Sequence, residues 1–271
     1  MSAFEKLKTK TVAGMHICVG LDTDIKKIPK HLLANTDPIF EFNKIIIEST
    51  ASYACAFKIN FAFYEKDGSK GIDTLYKTLE LIPSDILTIA DAKRGDIGNS
   101  SELYAQSIYD HFHFDSVTLH PYMGFDSLSP FLNYKDKINF ILALTSNNGS
   151  IDFEKQKLIN GKYLYQLVIE KVNEWNTNTN CGIVFGATNT EELKDNITAF
   201  KSLPILLPGI GAQGGSLEEV VKTFTDNNNI NYLVNVSRAL IYIDNTSNFG
   251  DLVNQYINRL DGVIKSIEKI N

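Results

Sequence analysis

Cysteine is scarce in this 271-residue chain: there are three, far apart at Cys18, Cys55 and Cys181. An odd, scattered set builds neither a disulfide framework nor a Cys-x-x-Cys ligand pair. Each falls in an apolar stretch and reads as a buried, reduced thiol. Proline is sparse as well, with seven residues, and no Pro/Gly/Ser-rich linker divides the chain. That leaves one large domain spanning 1–271. An excess of positive charge is also missing: Lys and Arg number 26 against 32 Asp and Glu, a net charge of −6. The balance excludes a general binder of nucleic acid or of an anionic membrane, which needs a basic face. A small anionic substrate stays open, because a few amides and one arginine can hold a phosphate. Long apolar runs are absent: stretches such as 138–144 fall far short of the roughly 20 residues that span a bilayer. The N-terminal stretch carries Glu5, Lys6, Lys8 and Lys10 and lacks the apolar centre of a secretory signal, so a cytoplasmic location is expected. No internal repeat, Walker A loop or nucleophile elbow is visible.

What the chain does have is an alternation. Short apolar, β-branched runs are followed by longer stretches of helical periodicity. The runs are His16–Asp22, Ala54–Asn60, Ile86–Asp91, Ser116–His120, Asn139–Thr145, Cys181–Gly186, Ile205–Pro208 and Asn231–Val236. The spacing predicts helices near Pro38–Ser52, Lys70–Leu81, Gly98–His111, Phe125–Leu132, Gly161–Trp175, Thr190–Phe200, Ser216–Thr225 and Phe249–Lys269. Eight strand–helix units point to a parallel sheet, and the number eight to a closed (β/α)₈ TIM barrel of the α/β class. An open doubly wound sheet is the other arrangement of such units, but no Gly-x-Gly-x-x-Gly follows the first strand.

Polar residues gather where these runs end: Asp22, Lys58 with Asn60, Asp91 with Lys93, His120, Thr145 with Ser146, Pro208 with Gly209, and Ser237 with Arg238. In a barrel those ends share the catalytic face. The densest cluster is Ile89-Ala-Asp-Ala-Lys-Arg-Gly-Asp-Ile-Gly-Asn-Ser100. Asp91 and Lys93 are two apart on a strand end, which points both side chains the same way, and Asp96 follows in the loop. A lysine between two carboxylates stays protonated, a fixed cation and proton donor rather than a Schiff-base nucleophile. A surface salt-bridge cluster is the plainer reading of the same spacing. The second cluster, Leu207-Pro-Gly-Ile-Gly-Ala-Gln-Gly-Gly-Ser216, leaves the seventh run and enters a helix. Its Gly209, Gly211, Gly214 and Gly215 would let backbone amides approach an anion, and Arg238 after the next run suits bidentate phosphate contact. Leu144-Thr-Ser-Asn-Asn-Gly149 could read a polar ring edge, although such composition is ordinary in loops. His111 and His113 lack helical ligand spacing, His120 has no evident partner, and Trp175 reads as a packing residue.

These segments carry a resemblance. Gly20-Leu-Asp22, Phe57-Lys-Ile-Asn60, Asp91 to Ser100, Thr145-Ser-Asn147, Pro208 to Gly215 and Ser237-Arg238 occur in the order found in the orotidine 5′-phosphate decarboxylase family. The chain is similar in particular to the bacterial branch whose third-strand motif reads Asp-Ala-Lys-Arg-Gly-Asp-Ile-Gly. The resemblance implies decarboxylation of orotidine 5′-monophosphate to UMP, the last step of UMP synthesis, with no metal or organic cofactor. It implies that Lys93 protonates C6 of the pyrimidine, and that Asp91 lies beside the departing carboxylate. Lys58 and Asp96 complete an alternating network, with Asp96 donated by the other subunit of a homodimer. It places Asp22, Lys58 and Ser100 at the ribose hydroxyls, Ser100 again from the partner. Ser146 falls at the pyrimidine, and Gln213 and Arg238 at the phosphate. The chain departs from the family at Ser100, where threonine is usual, and at Asn148, where proline is usual. Sugar-phosphate enzymes of the same superfamily share the Asp-x-Lys-x-x-Asp spacing but use a metal-binding glutamate where this chain has Lys58. A non-catalytic phosphate-binding barrel is the remaining alternative, and it has no need of four alternating charges.

Overall fold

All eight apolar runs form strands in a computed structural model that describes residues 1–211 and 214–269. They are β1 Ile17–Gly20, β2 Ala54–Asn60, β3 Leu87–Arg94, β4 Ser116–Leu119, β5 Ile138–Leu144, β6 Cys181–Phe185, β7 Ile205–Pro208 and β8 Tyr232–Val236. Each pairs in parallel with the next, and β8 pairs with β1 to close the barrel. The helices are α1 Ala3–Val12, α2 Pro38–Thr50, α3 Ala62–Glu65, α4 Gly68–Glu80, α5 Gly98–Gln106, α6 Phe125–Leu132, α7 Leu164–Trp175, α8 Thr190–Asn196, α9 Leu217–Asp226, α10 Arg238–Ile241 and α11 Phe249–Glu268.

Three of these helices were not expected. α1 starts at a capping box, where Ser2 and Glu5 bond each other's backbone amides, and its charge pattern hides a narrow apolar stripe. Ala3 and Leu7 on that stripe join the core beneath the strands, so α1 covers the N-terminal mouth of the barrel. α3 and α10 are single turns, too short to leave a period in the sequence. Three expected helices are shorter than their patterns, α8 among them, because Ile197–Phe200 winds as a tighter 3₁₀ turn. The stretch before α7 forms an antiparallel bridge between Lys157 and Tyr163, and α5 ends in one wide turn at Ser107–His111.

The core has two layers. Outward-facing strand residues such as Val19, Phe57, Ile183 and Val234 pack against the helices, whereas Cys18, Ala56, Ile89, Phe140, Val184 and Leu206 fill the barrel interior. All three cysteines are buried and free. Burial pushes the thiols of Cys18 and Cys181 up to about 12, which keeps them protonated and inert.

Phe140 fits only because β6 carries a glycine opposite. A Cβ on Gly182 would lie 2.7 Å from Cδ1 of Phe140 and 2.8 Å from the carbonyl oxygen of Pro204. Backbone cannot yield there as a side-chain tip can. Gly182→Ala is therefore expected to destabilise the fold by about 1–3 kcal/mol through overpacking. An unchanged midpoint in urea denaturation would show that the interior has slack.

Candidate active site

The C-terminal strand ends surround a cavity of about 280 Å³ lined by residues from most of the eight units, including Asp22, Lys58, Asp91, Lys93, Ser146 and Arg238. Its floor is charged. Lys58 points inward from β2 and Asp91 from β3, and the Lys58 Nζ donates to Asp91 Oδ2 at 2.8 Å. The Lys93 Nζ donates to Asp91 Oδ1 at 2.6 Å, and Lys58 also lies 3.7 Å from Asp22 Oδ1. Lys58 and Asp91 are buried, whereas half of the Lys93 side chain is open to the cavity mouth.

Burial alone would push the Asp91 carboxyl up. The two ammonium groups outweigh it and hold Asp91 well below the usual carboxylate range. Burial would likewise pull Lys58 down, and Asp91 with Asp22 raises it above the usual ammonium range instead. The pair is charged across all ordinary pH.

Lys93 reaches Asp91 by a route the spacing does not reveal. The strand does not end at Asp91 but runs on to Arg94, and the ladder to β4 jumps from Ala90–Val117 to Arg94–Leu119. Within that jump Lys93 takes a left-handed backbone, φ 46°. Simple alternation is thus broken by a bulge, which turns the Lys93 side chain back over Asp91. Arg94, next in the motif, faces away: it bonds Glu65 and lies over the rings of Phe61 and Tyr104.

Asp22 follows β1 and accepts from the Ser237 hydroxyl at 2.7 Å, while its buried Oδ1 accepts no hydrogen bond among the described residues. Ser146 and Asn147 line the cavity after β5. Thr145 just before them is clasped by Glu154, which accepts from its amide at 2.6 Å and from its hydroxyl at 2.9 Å. Gly186 lets the Ser146 backbone approach, since a Cβ there would lie 2.8 Å from the Ser146 nitrogen.

The glycine loop after β7 doubles back on itself. Gly209, Gly211 and Gly214 all have positive φ, and the Gly215 amide donates to the Gly209 carbonyl at 3.1 Å. Gly209, Ile210 and exposed Arg238 line the cavity, whereas Gly211, Gly214 and Gly215 do not. The amides of these three glycines are engaged within the loop. Gln213 lies outside the described residues.

Two expected residues stand apart. Asp96 and exposed Ser100 line a separate shallow depression with Leu103, Tyr104 and Ser107, and the Asp96 carboxylate accepts from the Ile97 amide. Within one chain the charge network therefore runs Asp22–Lys58–Asp91–Lys93 and does not reach Asp96. His120 packs its ring over Gly95 outside the cavity, and Trp175 packs against Phe125. Sequence reasoning missed Thr118, Asn235 and Glu154. The inward period of β4 and β8 carries the signal for the first two, but Glu154 reaches the site from a loop with no pattern.

The whole arrangement matches known proteins. Residues 15–248 fit the model of the orotidine 5′-phosphate decarboxylase / HUMPS family. The chain is 47% identical over 267 residues to an orotidine 5′-phosphate decarboxylase of Phocaeicola vulgatus, covering 97% of both chains. It is 50% identical over 236 residues to that of Porphyromonas gingivalis, covering 86% of this chain and 85% of the other. Its fold superposes on an OMP decarboxylase of Leishmania donovani with a TM-score of 0.81 and 34% identity, covering 97% of this chain and all of that one.

The floor makes a stability prediction. A carboxylate whose pKa is lowered on folding adds stability that is full above the unfolded value, about 3.9, and fades as pH falls from there through the folded value. Asp91→Asn leaves two ammonium groups facing each other without their counter-charge. It should cost about 3 kcal/mol, at the lower end for breaking a buried pair. The difference from wild type in chemical denaturation should be flat between about pH 5 and pH 9 and shrink below about pH 4. A difference that vanishes already near neutrality would mean that Asp91 is not held ionised.

Proposed function

The chain belongs to the orotidine 5′-phosphate decarboxylase / HUMPS family, and from that premise we propose how its site works. It is a decarboxylase that converts orotidine 5′-monophosphate into UMP and carbon dioxide in pyrimidine biosynthesis. The observation that carries the mechanistic reading is the ion chain Lys58–Asp91–Lys93 on the cavity floor. The bond from C6 to the carboxylate breaks, carbon dioxide departs, and the electron pair stays on C6. Lys93 stands as a fixed ammonium against that developing charge and then delivers its proton to C6. Solvent returns the proton to the amine. Asp91, kept ionised by both lysines, faces the departing carboxylate and holds the ammonium of Lys93 in place.

The remaining contacts follow the cavity wall. The unsatisfied Oδ1 of Asp22 and the ammonium of Lys58 suit the ribose hydroxyls. Ser146 meets the pyrimidine edge. Gly209, Gln213 and Arg238 grip the phosphate, with Gly211, Gly214 and Gly215 holding the shape of the loop through their own hydrogen bonds, and the binding energy of the phosphate is available to close the site around the ring. Asp96 and Ser100 serve the neighbouring site of a homodimer, which accounts for their facing outward beside Leu103 and Tyr104. The substrate is a small molecule, and no nucleic-acid polymer or membrane is a partner. The setting is the cytoplasm, and no described helix is long and apolar enough to cross a membrane. Purified protein in EDTA should consume orotidine 5′-monophosphate, followed by its absorbance.

Lys93→Ala should abolish turnover while UMP binding stays measurable, because affinity comes largely from phosphate and ribose. Loss of a positioned proton donor costs roughly 10²–10⁴-fold, so more than about a tenth of wild-type kcat remaining would remove Lys93 from that role.

The shared site gives a complementation test. Lys93→Ala and Asp96→Ala homodimers should each be nearly dead. Their heterodimer holds one doubly damaged site and one that combines an intact Lys93 with an intact Asp96. Random exchange of equal amounts makes about half heterodimers, so about a quarter of all sites should recover. Exchange shown by mass spectrometry without returning activity would place Asp96 in its own subunit's chemistry or rule out this dimer.

A further inference from the structure

We propose that Thr118 is a positioning residue: its hydroxyl holds the Asp91 carboxylate and the Lys93 backbone in the one arrangement that aims the Lys93 ammonium into the cavity. The inference rests on the functional reading above and deepens it.

The argument starts from the gap in the β3–β4 ladder. Val117 pairs with Ala90 and Leu119 with Arg94, so Thr118 faces the stretch of β3 where regular pairing lapses. Lys93 sits in that stretch with a left-handed backbone, a conformation an L-residue adopts only under constraint. A bulged residue loses its ladder partner, and an amide left unbonded at a strand is costly. Here the Lys93 amide donates to the Thr118 hydroxyl oxygen at 3.0 Å. The same hydroxyl donates its proton to Asp91 Oδ1, also at 3.0 Å. Thr118 is buried at the cavity wall.

Both capacities of one hydroxyl are thus used at the reaction centre. Asp91 Oδ1 receives Lys93 Nζ and Thr118 Oγ1, while Oδ2 receives Lys58. Lys58 alone would allow the carboxylate to swing about its Cβ–Cγ bond. Lys93 reaches the other oxygen on a long side chain that can follow such a swing, whereas the Thr118 hydroxyl on that oxygen is fixed to a neighbouring strand and stops the rotation. It also ties the backbone of Lys93 to the residue that Lys93's own side chain contacts. Valine has nearly the shape of threonine and offers neither bond. Serine keeps the hydroxyl and loses one methyl.

The experiment compares Thr118→Val, Thr118→Ser and Thr118→Ala in the full chain. Turnover of orotidine 5′-monophosphate and affinity for UMP are both measured. Misplacing a reacting group by about 1 Å can cost on the order of 100-fold. Thr118→Val is expected to lower kcat by about 10- to 100-fold with UMP affinity held within roughly threefold, and Thr118→Ser to recover most of kcat. If the valine variant does not fold, serine against alanine carries the same contrast, since both lack the methyl and only serine has the hydroxyl. A valine variant within about threefold of wild type overturns the proposal. So does a serine variant as slow as alanine, or a fall in UMP affinity matching that in kcat. If the wild-type protein does not consume the substrate, the functional reading falls instead. The positioning claim is then decided by a crystal structure of Thr118→Val: a displaced Lys93 supports it, and an unchanged Lys58–Asp91–Lys93 chain overturns it.

Discussion

The carboxylate of Asp91 lies buried between two ammonium groups, 2.8 Å from one and 2.6 Å from the other. A buried ammonium and carboxylate cannot be brought together out of water unless the partners are held in good geometry beforehand, and Lys93 joins them from the half-open mouth of the cavity. That requirement shapes the site. β2 and β3 must lie side by side, in a register that sets Lys58 beside Ile89 and Asn60 beside Asp91. Beneath the charges, Ala56, Ile89, Phe140, Val184 and Leu206 form an apolar layer. In such surroundings an ion pair is felt far more strongly than in water. In the mechanism proposed above, such preorientation of the ammonium groups spares the protein reorganisation at the moment of reaction.

The rim of the cavity is tied together across the seam where the barrel closes. Ser237, after β8, donates to Asp22, after β1. Tyr242, just beyond α10, donates its hydroxyl proton to the Asp22 carbonyl and accepts from the Asp24 amide. Arg238 opens α10, so the arginine assigned to the phosphate and the carboxylate assigned to the ribose belong to one bonded unit. A second clamp lies behind it. Buried Asn43 on α2 accepts from Thr23 and donates to Tyr64 and Thr78, and Tyr64 in turn donates to the Leu21 carbonyl. The loop carrying Asp22 is therefore pinned from both sides. A scaffold this rigid suits a reaction in which positioned charge does the chemistry.

Much of this was legible in the chain itself. Eight apolar runs separated by helical periods fixed the class of fold, because a strand buried on both faces must be apolar and each crossover back to a parallel neighbour takes a helix. The clustering of Asp22, Lys58, Asp91, Lys93, Ser146 and Arg238 at run ends located the site, because a barrel brings those ends to one face. Residues with no period to betray them escaped: Glu154 acts from an irregular loop, and α3 and α10 are single turns. Spacing set Asp96 beside Lys93 as a second flanking carboxylate, and within one chain the charge network does not reach it; Ser100 entered only through resemblance, since nothing in the spacing separates a residue that serves its own cavity from one that faces outward.

Tertiary structure alone decided how the charges meet. Alternation along a strand puts Asp91 and Lys93 on one side, but it does not say that β3 continues to Arg94, that the ladder skips at this point, or that Lys93 turns left-handed within the skip. Those features depend on β4, 25 residues away, whose Thr118 bonds the Lys93 amide. The sequence determined which groups are present and which end of the barrel they occupy, because burial and period are local properties of a chain. The distance between an ammonium and a carboxylate is set by strand register and by one buried hydroxyl on a neighbouring strand, and neither exists until the barrel closes.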